Sequence, residues 1–329
     1  MLPITIVGLG SYLPARVVAS AELEVALGLP PGWAEQTTGV RERRYAAGET
    51  SAGMAAEAAR RALAAAGRDL GELDLIVGAS SGPQQAIPCT AALVQRELGA
   101  PDGRSACFDV NATCLSFLFA LQSAAHMVAA GAYSCALIVS SEIGTHSRNP
   151  AEPEGATLFG DAAAAAVITR TPQGEPGALQ CAKFATYGSG AGLTSILGGG
   201  TLHHPNDPAT TPEMNRFHMH GPGLLRLAAR TLGPFLDAFF AEAGWAREEI
   251  DLLVPHQASR NGLGLLTARL GFRPEQVFLN LAERGNCIAA SLPLALAEAA
   301  AQGRVGRGDR VVLLGTGAGM TIGAVGLTF

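Results

Sequence analysis

The chain is poor in charge, and this excludes several classes of partner. Only 16% of its 329 residues are charged, the formal net charge is -5 and the isoelectric point is about 5.8. No long basic run is present, so a nucleic-acid-binding surface is not expected. The alanine-rich stretches carry charges or break at glycine, so no apolar run is suited to span a bilayer. We therefore expect neither nucleic acid nor a membrane as a partner.

The chain also lacks the cysteine spacing of a disulfide framework or a zinc site. Its six cysteines, at 89, 107, 114, 135, 181 and 287, show no CxxC pair and lie in apolar segments, as reduced, buried thiols do. The histidines at 203, 204, 218 and 220 have no carboxylate or cysteine at ligand spacing, so no metal site is predicted. Residues 1–14 have no basic region and are interrupted by glycine and proline, which favours a first strand over a signal peptide. A cytoplasmic protein is expected.

What the chain has in quantity is apolar sequence, 48% by residue, and it is arranged in two similar halves. The segment 72–78 resembles 249–255, and the strand-like run 135–141 resembles 310–316. Short β-branched runs alternate with amphipathic helices, which predicts an α/β protein of βαβ units with mostly parallel sheets. We expect an N-terminal half over residues 1–171 and a C-terminal half over 172–329, with the active site between them.

One cysteine stands apart from the other five because of its position. Cys114 ends the sequence Asp-Val-Asn-Ala-Thr-Cys, where a buried strand should stop and a helix begin. The unpaired N–H groups and the dipole of a helix N-terminus favour a thiolate, so we expect a lowered thiol pKa there. A thiolate is a strong nucleophile, and the sequence therefore predicts that Cys114 is the reactive cysteine.

Two downstream segments carry further candidate catalytic groups. His256 follows Val-Pro at the end of a predicted strand, and Asn286 follows Gly285. Taken alone, His256 is more often a partly buried structural residue, and Asn286 a turn residue with positive φ. Their occurrence with Cys114 changes both interpretations. Neutral imidazole and amide N–H groups can stabilise an enolate oxygen as a malonyl thioester loses CO2.

The motifs D-x-N-x-x-C, V-P-H-Q-A and G-N-x-x-x-A-S resemble those of the beta-ketoacyl-acyl-carrier-protein synthase III enzymes of the thiolase superfamily. Their order and intervals match, as do Phe159-Gly160-Asp161 and the glycine-rich end of the chain. The resemblance implies a thiolase-like, five-layered αβαβα fold built from two duplicated halves, and a homodimer. It also implies an acyltransferase that condenses an acyl primer with a malonyl thioester in fatty acid or polyketide-type biosynthesis.

The same resemblance assigns roles to individual residues. Cys114 would carry the acyl primer, and His256 and Asn286 would promote decarboxylation of the extender. The backbone N–H groups of Cys114 and Ala318 would hold the oxyanion. No metal or redox cofactor is implied. The substrates would be thioesters of coenzyme A or phosphopantetheine, and an acyl carrier protein would be a partner.

Several positions depart from the housekeeping pattern of that family and bear on the substrate. Trp33 matches the aromatic on which adenine stacks, but Thr37 stands where the family has an arginine. Pro222 and Ser259 stand where it has two asparagines that contact pantetheine. These losses favour a primer on a carrier protein over coenzyme A. Ile87 replaces a bulky aromatic that limits the partner subunit's primer pocket, so a specialised member with a longer or branched primer is expected.

Further residues are candidates for the tunnel and its mouth. His220 precedes a predicted helix start and is expected to line the pantetheine tunnel. Arg226 and Arg260 lie on helical segments near its mouth, as a basic patch for an acidic carrier protein or as parts of a solvated helix face. Two other functions stay open for this fold. The chain could be an acyltransferase that moves the Cys114-bound group to another acceptor, or a noncatalytic acyl-binding partner in a heterodimer.

Overall fold

The computed structural model describes residues 1–269 and 271–329, in which strands and helices alternate along the chain. The strands are β1 (Ile4–Tyr12), β2 (Arg16–Ala19), β3 (Glu42–Tyr45), β4 (Leu75–Gly78), β5 (Ala106–Asp109), β6 (Cys135–Glu142), β7 (Ala162–Arg170), β8 (Ala178–Thr186), β9 (Thr194–Ser195), β10 (His218–Met219), β11 (Leu252–Pro255), β12 (Arg310–Gly317) and β13 (Thr321–Thr328). The α-helices are α1 (Ser20–Leu27), α2 (Trp33–Thr38), α3 (Ser51–Ala66), α4 (Thr90–Leu98), α5 (Ser116–Ala129), α6 (Pro153–Leu158), α7 (Gly221–Ala243), α8 (Arg260–Arg269), α9 (Leu281–Arg284) and α10 (Ser291–Ala301). Single 3₁₀ turns, Thr113–Leu115 and Ile288–Ala290, lead into α5 and α10.

Two large sheets form the framework. The first has the strand order β1-β7-β6-β4-β5 and the second β11-β12-β13-β8. The pairs β4–β5, β4–β6 and β11–β12 are parallel, whereas β1–β7, β6–β7, β12–β13 and β8–β13 are antiparallel. The prediction of mostly parallel sheets is therefore wrong. Parallel pairing needs a long crossover, and only residues 318–320 separate β12 from β13, so β13 returns antiparallel. β7 also runs antiparallel to β6, although residues 143–161 separate them.

Alternation of side chains along the strands builds the layers. In β4, Leu75 and Val77 face a core shared with α5, α10 and the second sheet, while Ile76 faces α3 and α4. In β11, Leu252 belongs to that same central core, while Leu253 packs with α7. The order across the molecule is therefore helix, sheet, helix, sheet, helix, as the αβαβα prediction requires.

Small residues set the spacing between the first sheet and its outer helix. β1 presents Gly8 and Gly10 to the alanine-rich helix α3. A Cβ at either position would collide with a backbone carbonyl of α3, that of Ala62 or of Ala58. The alanine-rich sequence is thus a packing surface. Over the described residues, no helix combines the length and the apolar character that crossing a bilayer needs.

The two sheets share the same pattern of strand pairing, so residues at equivalent positions in the two sheets can be compared. The parallel and antiparallel pairing of β4, β6 and β7 recurs in β11, β12 and β13. Ala79 N–H donates to Val139 O at 2.8 Å, and His256 N–H donates to Leu314 O at 2.7 Å. Ala79 and His256 are therefore counterparts just beyond the central strands. The predicted boundary at residue 171 falls between β7 and β8, and the division into halves stays a prediction.

Candidate active site

A large cavity opens beyond the carboxyl ends of the parallel strands, between the two sheets. Its volume is about 1170 Å³, and Cys114, His256, Asn286 and Ala318 all line it. Small-molecule sites usually occupy roughly 300–1000 Å³, so this cavity suits an extended ligand. The residues that the sequence predicted to act together therefore share one space.

A tight turn holds Cys114 at the start of α5. Asn111 Oδ1 accepts a hydrogen bond from Thr113 N–H at 3.0 Å, and Thr113 has a left-handed φ of 52°. The Cys114 sulfur lies against two backbone N–H donors, its own and that of Ala318 in the turn after β12. The two N–H groups predicted to hold an oxyanion thus converge at the sulfur.

The charge of the Cys114 thiol depends mainly on its burial. Burial raises the pKa of Cys114 to about 12, and the Glu142 carboxylate acts in the same direction, against the two backbone N–H donors. The prediction of a lowered pKa is therefore wrong, because desolvation of a buried sulfur outweighs the donors at the helix start. Cys114 is a neutral thiol at physiological pH, and its proton must leave as the sulfur attacks.

His256 is held at the end of β11 through its backbone. Its N–H bonds to β12, and its carbonyl accepts from Ala258 N–H at 2.8 Å. His256 is only 4% exposed, and burial lowers its pKa to about 4. Its Nδ1 has no hydrogen-bond partner among the described residues. The imidazole is therefore neutral at physiological pH, as expected, and one ring nitrogen carries an N–H donor.

Asn286 is fixed through both ends of its side chain. Its Oδ1 accepts from Ile288 N–H at 2.8 Å, and its Nδ2 donates to Ala258 O at 3.3 Å. Its backbone N–H donates to Leu158 O at 2.9 Å. Ile288, with φ of 51°, takes the left-handed conformation of this turn, so the alternative that Asn286 itself has positive φ is wrong. An amide has two N–H donors, which leaves one for a ligand.

The same turn occurs twice, with different chemistry. Asn111 and Asn286 each accept from the backbone N–H two residues on, and each donates from Nδ2 to a carbonyl in the loop after the central strand. Cys114 in the first turn therefore corresponds to Ala289 in the second. The duplication supplies a thiol from one copy and an available amide from the other.

Two of the predicted pantetheine contacts line the cavity, and one lies outside its described lining. Pro222 and Ser259 line it, as expected for residues along a tunnel. His220 is exposed and its ring packs over Gly223, whereas the next residue, Gly221, lines the cavity. The start of α7 thus borders the cavity through its small residues, with His220 outside the described lining.

The remaining predicted residues lie around the cavity rather than in its described lining. Trp33 and Thr37 are partly buried on α2. Arg260 Nη1 donates to Gln36 O at 3.2 Å, so α2 meets the first turn of α8. Arg226 is exposed on α7, one residue from the cavity lining. Ile87 is 83% exposed in the loop between β4 and α4.

The sequence reasoning missed Glu142. This last residue of β6 is buried and lines the cavity with Cys114. Its oxygens accept from Ser81 N–H at 2.6 Å and Ser81 Oγ at 2.7 Å, and burial raises its pKa to about 7. The sequence contained a signal for this residue, because Glu142 ends a largely apolar strand. Charged side chains are rare in such positions and often mark a functional site.

Known proteins agree with this arrangement. Residues 108–188 match the family model for 3-oxoacyl-[acyl-carrier-protein] synthase III, and residues 240–329 match the model for its C-terminal part. A beta-ketoacyl-[acyl-carrier-protein] synthase III of Symbiobacterium thermophilum is 38% identical over 327 residues, 99% of this chain and 98% of the relative. The chain belongs to the beta-ketoacyl synthase III family. The recognition made from the three motifs is confirmed.

Solved synthase III structures share the fold. The 3-oxoacyl-[acyl-carrier-protein] synthase III of Aquifex aeolicus matches with a TM-score of 0.89 at 33% identity, over 99% of this chain and 100% of that one. The priming beta-ketosynthase of the R1128 polyketide pathway matches with a TM-score of 0.89 at 30% identity, over 98% and 95%. The predicted thiolase-like α/β fold is confirmed, as is the prediction of a condensing acyltransferase of the synthase III type.

Proposed function

We propose that this synthase III enzyme works in two stages, with Cys114 as the carrier of the primer. In the first stage an acyl thioester transfers its acyl group to Cys114. In the second, a malonyl thioester loses CO2 and attacks that acyl group. The observation that supports this most is the meeting of the Cys114 thiol, the neutral His256 and the Asn286 amide in one cavity. Neither stage requires a metal or a redox cofactor.

The first stage needs donors for an oxyanion. As the Cys114 sulfur bonds to the thioester carbon, negative charge develops on the carbonyl oxygen. The N–H groups of Cys114 and Ala318 already converge at the sulfur, within reach of that oxygen. The thiol proton passes to the departing carrier sulfur. The stage thus yields acyl-Cys114 and a free carrier thiol without a net change of charge.

The second stage needs donors that act as the enolate forms. Loss of CO2 leaves an electron pair on the α-carbon and negative charge on the thioester oxygen of the extender. His256 N–H and Asn286 Nδ2–H are neutral donors in a buried site, where such bonds are stronger than in water. A charged His256 would bind the malonyl carboxylate and oppose its loss, and its lowered pKa avoids this. The carbanion then attacks acyl-Cys114, and the Cys114 sulfur departs as a thiolate that takes up a proton from solvent. The product is a β-ketoacyl thioester.

The primer is proposed to arrive on an acyl carrier protein. Thr37, Pro222 and Ser259 supply neither the cation nor the amides that would grip coenzyme A. Arg226 and Arg260 are exposed and each is next in sequence to a residue that lines the cavity, so they suit an acidic carrier. The cavity volume of about 1170 Å³ supports a longer or branched primer.

A homodimer is proposed along the edge of the first sheet. β5 is the end strand of that sheet and pairs with β4 on one side only. Such an edge is a template for a second strand, so β5 of two copies could continue the sheet across an interface. Ile87, in the loop before α4, is exposed and outside the described lining of its own cavity. From there it could reach the primer pocket of the other subunit.

Product analysis tests the two stages together. Incubation with an acyl primer and a malonyl-carrier protein should release one CO2 for each β-ketoacyl product, and both should depend on the primer. An enzyme that passes the acyl group to another acceptor would release no CO2. A noncatalytic acyl-binding partner would form no product at all. Either outcome, across a panel of chain lengths on both carriers, would overturn the proposal.

A further inference from the structure

Arg43, in β3, is a fully buried cation that the two stages described above do not use. Within the described part of the chain, its guanidinium bonds only to uncharged oxygens. Nη1 donates to Val18 O at 3.2 Å, and Nη2 donates to Ser20 Oγ at 2.9 Å and to Thr157 O at 2.5 Å. A buried charge is costly, and an apolar side chain of similar size often serves stability equally well. What the guanidinium adds over an apolar side chain is its contact with these three oxygens.

One of the three oxygens belongs to the segment that holds Asn286. Thr157 lies in the last turn of α6, and the chain that follows it pairs with the Asn286 backbone. Asn286 N–H donates to Leu158 O at 2.9 Å, and Gly160 N–H donates to Asn286 O at 3.1 Å. Arg43 thus contacts one end of a short extended segment, 158–160, whose other bonds fix Asn286.

The stem of Arg43 packs against both strands of this pairing. A Cβ at Gly160 would lie 3.1 Å from Arg43 Cβ and 2.2 Å from Arg284 O. A Cβ at Gly285 would lie 3.4 Å from Arg43 Cβ and 2.6 Å from Leu158 O. Because both positions are glycine, the two strands can lie close to each other and to the arginine.

The backbone around β3 is bonded to the same two strands. Asp161 N–H, at the end of one strand, donates to Arg44 O at 2.8 Å. Arg41 N–H donates to Ala282 O at 2.7 Å, in the helix α9 that leads to the other strand. The hairpin of β2 and β3 therefore supports the Asn286 turn, and the Arg43 guanidinium is a part of that support that one substitution can remove.

We propose that Arg43 is a positioning residue for Asn286. Its guanidinium fixes Thr157 O, the segment 158–160 then fixes the Asn286 backbone, and the free amide N–H of Asn286 stays available to the thioester oxygen of the extender. Arg43 is absent from the described lining of the cavity, so it touches no reacting atom. The inference rests on the proposed function for the role of Asn286.

A double-mutant cycle on preformed acyl-Cys114 enzyme tests the coupling. Arg43→Met keeps much of the side-chain volume and removes the three hydrogen bonds. Release of CO2 from malonyl-carrier protein should fall about 10–100-fold, because the amide is displaced, while acyl loading stays near the wild-type rate. In an Asn286→Ala background the same substitution should cause little further loss, since the group that it positions is already absent.

Arg44→Met is the matched control for the cycle. Arg44 Nη1 donates to Pro14 O at 3.2 Å, in the turn between β1 and β2, and its side chain has no hydrogen bond to the segment 158–160 among the described residues. This variant removes a neighbouring guanidinium and should leave both rates unchanged.

Hydrogen exchange at the backbone amides of Asn286 and Gly160 measures the positioning without any substrate. Both amides belong to the pairing that Arg43 supports, so both should exchange faster in Arg43→Met than in Arg44→Met. Equal exchange in the two variants would overturn the inference, and so would losses of CO2 release that add in the double variant.

If Arg43→Met does not fold, Ser20→Ala keeps the test available. It removes one acceptor of the guanidinium, so CO2 release should again fall more than acyl loading, by a smaller factor. An unchanged ratio of the two rates in Ser20→Ala would then overturn the inference. Full CO2 release in Asn286→Ala would refute the proposed function instead, and the exchange rates in Arg43→Met would still decide whether Arg43 positions the Asn286 turn.

Discussion

Burial sets the charge states of the two central groups. It raises the pKa of Cys114 to about 12 and lowers that of His256 to about 4. Both are therefore neutral at physiological pH, and neither forms an ion pair with a malonyl carboxylate. Neutral donors strengthen as charge develops on the substrate, which favours the transition state over the bound substrate. The residues of loading and those of decarboxylation should accordingly be separable by mutation.

Asn286→Ala should separate the two stages. Acyl loading on Cys114 should persist, because its oxyanion donors are the N–H groups of Cys114 and Ala318. Decarboxylation should fall about 10²–10³-fold with the loss of one donor. His256→Ala should show a decarboxylation loss of the same order. Release of CO2 from malonyl-carrier protein and formation of acyl-Cys114 are measured in parallel.

Asn111, which occupies the equivalent turn, is the matched control. Asn111→Ala removes the same turn where it supports Thr113 and Cys114, so acyl loading should fall and CO2 release should fall only in proportion to it. Equal loss of both activities in Asn286→Ala would contradict this division of roles.

At the residue scale, the sequence predicts which side chains share a site better than it predicts their charge states. The order and spacing of Cys114, His256 and Asn286 predicted a shared site, and all three line one cavity. The pKa of Cys114 was predicted in the wrong direction, since a helix start is visible in the sequence while burial depends on elements distant along the chain. Glu142 was missed for the same reason, because its nearness to Cys114 arises only when β6 packs beside β4.

At the scale of elements, glycines let β12 approach the nucleophile turn and β11. A Cβ at Gly315 would lie 2.8 Å from Leu115 Cδ2 and 2.9 Å from His256 Cβ. A Cβ at Gly317 would lie 2.8 Å from Thr113 Oγ1. The turn after β12, which contains Ala318, can therefore lie against the Cys114 sulfur only if these two positions are glycine.

Gly315→Ala should disturb the site and the core together. The added methyl group meets Leu115 and His256, and such overpacking costs about 1–3 kcal/mol of unfolding free energy. Denaturant unfolding measures that loss, and CO2 release should fall further than the loss of folded protein explains. Gly71→Ala is the control, since nothing lies within 4 Å of its Cβ position. Full activity in Gly315→Ala would contradict the close approach.

Sequence patterns predicted the elements better than the directions in which they pair. The duplicated strands and the helix after Cys114 are present, but β7 pairs antiparallel with both β1 and β6. Its alanine run carries no period that reveals its neighbours. Strand direction depends on the length and path of the connection, which local patterns do not encode.

At the scale of the whole molecule, the residues around the cavity are the basis for our proposal that a carrier protein delivers the primer. Loading of Cys114 should have a higher kcat/KM from an acyl-carrier protein than from the matching acyl-coenzyme A. Thr37→Arg should narrow that gap, because a guanidinium can pair with nucleotide phosphates. Acylation rates from both carriers, with one acyl chain held constant, measure the preference.

Thr37→Gln is the matched control for that comparison, since it lengthens the side chain without adding charge. It should leave the preference of the wild type in place. A wild-type preference for acyl-coenzyme A would defeat the carrier-protein proposal, while the condensing mechanism would be unaffected.

The mass of the intact protein after incubation with acyl thioesters tests the role of Cys114 most directly. The wild-type chain should gain the mass of one acyl group, and Cys114→Ala should gain none. Ser116 does not replace the thiol, because its Oγ donates to Thr113 O at 2.7 Å and lacks thiol acidity. An undiminished acyl adduct in Cys114→Ala would contradict the account.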